Sequence, residues 1–134
     1  MSSVEQDAIE SVEVMLDAMA DLRKSLRVAE TTIRRALRNF RSERDIRATL
    51  ATFRPADIRG SVNESLTELE KARHRWRKAM FAFGLDRGMS IADLARTWGF
   101  SRQLATKYAQ EVRAEASDLP SRQSPGSRRP TAIG

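Results

Sequence analysis

The chain has 134 residues and a formal net charge of +6, and it contains no cysteine and one histidine, His74. This length allows one domain, or a small domain with an extension. Without cysteine there are no disulfides, thiolate metal sites or cysteine nucleophiles, and a single histidine argues against a zinc site or histidine-based catalysis. No stretch has the roughly 20 apolar residues of a membrane span, and the N-terminus does not resemble a signal peptide, so we expect a soluble, cytoplasmic protein.

The charges are unevenly distributed along the chain. Residues 1–22 hold six acidic residues and no basic one, whereas the rest of the chain holds 24 basic and 12 acidic residues. A basic body favours a polyanionic partner, because neutralising phosphates releases their condensed counterions. No motif indicates a cofactor, a metal or a small-molecule ligand, and no nucleophile or carboxylate lies at a spacing typical of a catalytic centre. We therefore expect a binding protein rather than an enzyme.

Residues 4–44 contain neither Gly nor Pro, and their apolar side chains recur every three or four positions. This spacing predicts a long, coiled-coil-like helix, or two nearly collinear helices. The apolar positions are Ile9, Val12, Leu16, Met19, Leu22, Leu26, Ala29, Ile33, Leu37 and Phe40. A helix of this length must pair with a second copy or fold back on its own chain.

The charge pattern of this helix bears on that choice. Its first half is acidic and its second half basic, so two copies would attract each other in an antiparallel or crossed arrangement and repel each other in a parallel one. We therefore expect a homodimer through residues 4–44. An intramolecular bundle with a solvated charged face is the alternative.

A short helix is predicted over about residues 45–53. It should end at Arg54, because the residue before Pro55 avoids helical angles. Its inward positions would be Ile46, Leu50 and Phe53. Residues 57–60 predict a connection, with Gly60 as the breaker.

A long helix is predicted next, beginning at Ser61 and Glu64, which have the spacing of a capping box. It should end at Gly84 and be followed by a loop over residues 85–88. Its apolar positions are Val62, Leu66, Leu69, Trp76, Met80 and Phe83. We expect Trp76, like Trp98 further on, to belong to the core.

Residues 90–112 predict two short helices joined by a tight turn. Ser90 and Asp93 have the spacing of a capping box in which Asp replaces the usual Glu or Gln. Gly99 can adopt the left-handed conformation that ends a helix, and Ser101 can cap the next one. The inward positions are Ile91, Leu94, Ala95 and Trp98 in the first helix and Ala105, Tyr108 and Val112 in the second.

This segment resembles the bacterial and phage helix-turn-helix DNA-binding family, as found in resolvases, sigma-factor region four and small repressors. The matching positions are Leu94, Ala95, Gly99, Phe100, Ser101 and Tyr108. The resemblance implies an all-α fold with a three-helix DNA-binding domain over residues 55–116. The apolar periodicity and the charge pattern described above predict a helical dimerisation region before it, over residues 1–54. Ala105 stands where the family commonly has a β-branched residue, so Leu104 would lie near the DNA-facing side. The Pro- and Ser-containing residues 117–134 would form a disordered basic tail.

The same resemblance assigns roles in the DNA complex. The helix over residues 101–115 would lie in the major groove, where Arg102 can pair with guanine and Gln103 with adenine. Thr106, Lys107 and Gln110 would follow one turn later, with Lys107 on a phosphate. Ser90 and Ser101 would offer hydroxyls and helix N-terminal N–H groups to the DNA backbone. Further phosphate contacts would come from Arg87, Arg96 and Arg113.

The function expected is that of a dimeric, sequence-specific transcriptional regulator acting on double-stranded DNA in the bacterial nucleoid. Two alternatives belong to other classes: a coiled-coil adaptor that docks on a protein such as RNA polymerase, and an architectural protein that coats DNA without sequence preference. A third, structural reading is an ordinary helical hairpin in which Gly99 is merely a helix cap.

Overall fold

The computed structural model describes residues 2–123, with side chains for residues 2–117. Over these residues the fold is all-α, as the sequence predicts, with five helices and no strand. The helices are α1 (Ser3–Glu43), α2 (Ile46–Phe53), α3 (Pro55–Asp86), α4 (Ile91–Trp98) and α5 (Arg102–Gln123). None of the described helices is both long and apolar enough to cross a membrane.

The helices form two compact units. Unit 1 combines the first turns of α1, up to Ser11, with the described chain from Arg75 to Gln123, and unit 2 is Val12–His74. The predicted division between residues 54 and 55 does not coincide with these units, because α1 and α3 each contribute to both of them.

The prediction of a long N-terminal helix is confirmed, since α1 is continuous over 41 residues. Within unit 2, α1 and α3 approach each other at Ser25 and Ser65, whose hydroxyl oxygens lie 2.7 Å apart. Small residues permit this approach because the distance between two helix axes depends on the side chains at their contact.

The predicted start of α3 is wrong. The helix begins at Pro55, so residues 57–60 are helical, Gly60 does not break the chain and Ser61 is not a cap. Proline is well suited to the first helical position, because its fixed φ fits the helix and its missing N–H would have no intrahelical partner there. Gly60 is tolerated inside a helix at a modest cost in stability.

The predicted end of α3 is also wrong, because the helix passes through Gly84 and ends at Asp86. Gly84 is required for close packing instead, since a Cβ atom there would lie 2.7 Å from Cδ2 of Leu94 in α4. The chain turns at Gly88, which has a φ of 88°.

The prediction that α2 points its apolar residues inward is wrong for Ile46 and Leu50, which are exposed. Arg44 and Arg54, on either side of α2, both have left-handed backbone angles, with φ values of 56° and 55°. These residues redirect the chain at each end of α2, and no described residue of this two-turn helix is buried.

The predicted tail begins at residue 117, but α5 continues to Gln123. Pro120 removes one backbone donor, and the helix continues for almost one further turn beyond it. The remainder of the predicted tail, residues 124–134, lies outside the described part of the chain.

Candidate nucleic-acid interface

The start of α4 is fixed by the predicted capping box. The Asp93 backbone N–H donates to the Ser90 hydroxyl oxygen at 3.0 Å, and the Ser90 N–H donates to the Asp93 carboxylate at 3.3 Å. The hydrogen bonds from the Ser90 hydroxyl and N–H, with the nearby Arg96 guanidinium, hold the pKa of Asp93 below its usual value. The carboxylate form of Asp93 is therefore part of the folded helix start.

The turn between α4 and α5 has the geometry predicted for Gly99. This residue has a φ of 69°, and its N–H donates to the carbonyl groups of Ala95 and Arg96. The N–H of Phe100 also donates to the Ala95 carbonyl, at 2.9 Å. Carbonyl groups at the end of α4 are thus satisfied by the turn itself, as in a Schellman-type helix end.

The start of α5 is capped by Ser101, as predicted, because the N–H of Leu104 donates to the Ser101 hydroxyl oxygen at 3.1 Å. The first turn of α5 contains no acidic residue. The positive end of the helix dipole and the remaining N–H groups at this end are therefore not neutralised by a local carboxylate.

Phe81 of α3 is the centre of the core that holds α4 and α5 together, and it is fully buried. Its ring lies 6.0 Å from Phe100 in the turn, 5.4 Å from Tyr108 in α5 and 6.4 Å from Trp98 in α4, measured between ring centroids. Aromatic pairs at such distances contribute attraction beyond the burial of their area. One α3 residue thus contacts α4, the turn and α5 simultaneously.

Sequence reasoning missed Phe81, because it placed the apolar face of α3 on Met80 and Phe83. The periodic pattern failed here because α3 is contacted from more than one side within unit 1. Arg75 of α3 pairs with Asp7 in the first turns of α1 at 3.2 Å, while Phe81 faces α4 and α5. A helix packed on several sides has no single apolar stripe for a pattern to reveal.

Trp98 packs against the core around Phe81, as predicted, whereas Trp76 is half-buried and packs edge-to-face on Trp98, with their ring centroids 4.6 Å apart. Two other residues of α3, which the sequence did not single out, hold α5 and the turn. The Arg77 guanidinium carbon lies 5.0 Å from the centre of the Phe100 ring, and Lys78 forms an ion pair with Glu115 of α5. No sequence signal distinguishes these two cations from the many other basic residues of the chain.

The buried face of α5 consists of Ala105, Tyr108 and Ala109, with Val112 half-buried beside them. Ala105 is completely buried, and Leu104 packs against the same core. The expectation that Leu104 lies near the DNA-facing side is therefore wrong. Leu104 is half-buried at the edge of this core, next to Ala105.

The opposite face of α5 is exposed and polar. Its exposed members are Arg102, Gln103, Lys107, Gln110 and Arg113, and Thr106 is half-buried at its edge. We call these six residues the α5 polar face. Residues 101–110 contain two basic side chains and no acidic one, so the N-terminal half of this face is positively charged.

The remaining predicted phosphate contacts differ in what surrounds them. Arg87 forms an ion pair with Glu5, and its guanidinium carbon lies 4.9 Å from the ring centre of Phe83. Arg96 forms an ion pair with Asp93. A phosphate would have to compete with these carboxylates, so both arginines are poorer phosphate ligands than an exposed cation of α5.

The two predicted serine sites also differ. At Ser90 the Asp93 carboxylate already occupies the N-terminus of α4 and would repel a phosphate. At Ser101 the first turn of α5 carries no carboxylate. Because anions bind where N–H groups and the positive end of the helix dipole are free of negative charge, Ser101 is the better phosphate site.

No protein-family model, curated protein or solved structure matches this chain.

Proposed function

We propose that the protein binds double-stranded DNA sequence-specifically as a homodimeric transcriptional regulator of the helix-turn-helix type. The observation that supports this most is the α5 polar face: an exposed, positively charged helix surface whose N-terminus has no local carboxylate. The helix is anchored behind that face by Phe81 and Tyr108. A rigid helix with hydrogen-bonding side chains on one face is what major-groove recognition requires.

In this proposal α5 enters the major groove with its N-terminal end towards the bases. Arg102 donates to a guanine, and Gln103 forms a pair of hydrogen bonds with an adenine. Lys107 and Arg113 lie one and three turns further on and neutralise phosphates. The Ser101 hydroxyl, whose oxygen already caps α5, can donate its hydrogen to a phosphate oxygen.

The proposal is tested by measuring the affinity of α5 variants for a selected site and for unrelated duplexes over a range of salt concentrations. Arg102→Ala should cost about 1–3 kcal/mol on the selected site and relax the preference at one base pair. Lys107→Ala should weaken binding equally on all sequences and reduce the salt slope by about one. Arg59→Ala, an exposed arginine of unit 2, is the matched control and should change little.

The same titrations can contradict the proposal. If Arg102→Ala weakens binding equally on all duplexes, Arg102 contacts only phosphate and another residue must read the bases. If the wild-type protein shows no salt-dependent binding to DNA, the adaptor function becomes the better account.

An architectural function is favoured by a different observation, the exposed arginines on the second half of α1, which include Arg34, Arg35, Arg38 and Arg41. If these arginines carry DNA binding, Arg35→Ala and Arg38→Ala should weaken it more than substitutions on the α5 polar face. The regulator proposed here requires the reverse order.

A further inference from the structure

Within unit 2, α1 has two apolar faces rather than one. The first is packed and runs through Met15, Ala18, Leu22, Ser25, Ala29, Thr32 and Ala36, which are buried or half-buried. The second is exposed and consists of Val12, Leu16, Met19, Leu26, Ile33 and Leu37. We call this second set the α1 stripe.

Most residues of the α1 stripe immediately follow a residue of the packed face, as Leu16 follows Met15. One residue corresponds to about 100° around an α-helix, so the two faces are neighbours on the helix surface. The packed face is rich in small residues, although it also contains Met15 and Leu22, whereas the exposed face consists of large apolar residues. This arrangement is typical of a helix that packs on its own chain with one face and on another chain with the next.

The length of the α1 stripe makes it unusual for a free surface. It extends from Val12 to Leu37, which is about 38 Å at 1.5 Å per residue. Although Arg23 and Glu30 interrupt the stripe, an extended row of exposed large apolar residues is unusual in a monomeric protein and marks an interaction site. Its spacing of three and four residues is that of a coiled-coil seam, and it fits another helix with the same spacing.

We propose that the occupant of the α1 stripe is the same stripe of a second copy, running antiparallel. This inference deepens the homodimer of the proposed function. It is tested without DNA, so its failure and the failure of DNA binding can be told apart.

The sequence fits one register of such a dimer. In this register Leu16 lies opposite the partner's Ile33 and Val12 lies opposite the partner's Leu37, so the two outermost layers at each end are apolar on both chains. In the inner layers Met19 lies opposite the partner's Glu30, and Leu26 lies opposite the partner's Arg23. Arg23 and Glu30 occupy the two positions where the stripe is interrupted. They fall in successive layers, Arg23 on one chain and the partner's Glu30 on the other, and can neutralise each other. A shift by one heptad instead places Val12 opposite the partner's Arg44, beyond the end of α1, so an apolar layer is lost at each end.

Charges beside the stripe favour the same orientation. Glu13 and Arg34 lie on the edge of the stripe that faces away from the packed face, and both are exposed. In the antiparallel register Glu13 faces the partner's Arg34, twice per dimer, and Arg34 also pairs with Glu30 of its own helix at 3.3 Å. A parallel dimer would instead place Arg23 against the partner's Arg23 and Glu30 against the partner's Glu30, and these like charges would repel each other.

The occupancy of the stripe is tested by Leu16→Gln, with Val28→Gln as the matched control. Both residues are exposed to a similar degree, 58% and 60%, and Val28 lies outside the stripe. By analytical ultracentrifugation, the wild-type protein and Val28→Gln should be dimers, whereas Leu16→Gln should dissociate at least ten times more readily. Circular dichroism should show equal helix content in all three. A monomeric wild-type protein, or equal dissociation of the two variants, would overturn the proposal.

The orientation of the two helices is tested with a spin label attached to the new cysteine of the Ser42→Cys variant. The chain has no other cysteine, so each copy carries one label. In the proposed register the two copies of residue 42 lie about 50 Å apart along the seam, at 1.5 Å per residue. In a parallel dimer they lie side by side. A short label-to-label distance in double electron–electron resonance would therefore refute the antiparallel arrangement.

The register is tested by reversing charges. Glu13→Arg and Arg34→Glu should each weaken the dimer roughly ten-fold, because two attractive pairs become repulsive. The double variant should regain most of this loss. If the two effects simply add, Glu13 does not face the partner's Arg34 and the register is wrong.

Discussion

The close approach of α3 and α4 at Gly84 predicts that Gly84→Ala destabilises the protein, although Gly to Ala inside a helix ordinarily does the reverse. A Cβ atom at residue 84 would lie 2.7 Å from Cδ2 of Leu94 and 3.3 Å from the sulfur of Met89. Leu94 is only 3% exposed and is enclosed by the core around Phe81. Its side chain therefore cannot move away without disturbing the packing of α4 and α5.

The size of the stability change for Gly84→Ala follows from two opposing contributions to the free energy of unfolding. Replacing a helical Gly by Ala stabilises by about 0.5–1 kcal/mol through backbone entropy. Overpacking a core by one methyl group costs about 1–3 kcal/mol. We expect a net destabilisation of about 1 kcal/mol, or roughly 4 °C in melting temperature for a chain of this size.

Gly60→Ala is the matched control, because Gly60 lies in the same helix and a Cβ atom there would meet no atom within 4 Å. It should stabilise by about 0.5–1 kcal/mol. The gain from replacing a helical Gly by Ala is common to both variants. The difference between their unfolding free energies, about 2 kcal/mol, therefore measures the cost of the close approach between residue 84 and Leu94.

Urea denaturation followed by circular dichroism and by tryptophan fluorescence provides the assay. Both tryptophans of the chain, Trp76 and Trp98, lie in unit 1, so their fluorescence reports on the unit that contains Gly84. Leu94→Val removes both Cδ atoms, and it should cost less in the Gly84→Ala background than in the wild-type protein. If Gly84→Ala is as stabilising as Gly60→Ala, the packing of α3 against α4 described above is wrong.

Three further predictions concern the caps at the start and at the end of α4. Ser90→Ala should destabilise by about 1 kcal/mol in urea denaturation, because the Asp93 N–H loses its acceptor. The lowered pKa of Asp93 means that its contribution to stability is complete above the unfolded-state pKa and is lost as the pH falls through the folded-state value. The stability difference between the wild-type protein and Asp93→Asn should therefore shrink below about pH 4, and a difference that grows with acid would contradict this sign. Gly99→Ala should lower the free energy of unfolding by about 1–2 kcal/mol through backbone strain alone, because residue 99 has a φ of 69° and a Cβ atom there has open space. Gly99→Asn should lower it less, because Asn adopts left-handed angles more readily. Equal losses for the two variants would point to a steric clash instead.

Local signals in the sequence predicted the caps well. The capping box of Ser90 and Asp93, the left-handed Gly99 and the cap at Ser101 all have their expected geometry. Each cap depends on hydrogen bonds between residues within four positions of one another, so the partners can be recognised from their spacing in the sequence. The same reasoning failed at Gly60 and Gly84, because a glycine within a helix can serve packing or be neutral, and only the neighbouring helix decides which.

The burial of α1 could not be read from the sequence for a different reason. The spacing of large apolar residues located the face with Leu16 and Ile33, but unit 2 packs the face one residue away, where Ala18 and Ala29 lie. Two neighbouring heptad patterns coexist in α1, and the less hydrophobic one makes the contact within the chain. Hydrophobicity alone predicts that the large apolar residues are buried, whereas close packing of two helices is easier where the side chains between them are small.

The central claim, that α5 reads double-stranded DNA, is tested most directly by in-vitro selection from a random duplex library at near-physiological salt. A symmetric dimer predicts an enriched palindrome whose half-sites lie about one helical turn, or a multiple of it, apart. The preference at one position of each half-site should disappear with Arg102→Ala. Retention of DNA without any enriched sequence would contradict specific recognition, and the absence of retention would contradict DNA binding altogether.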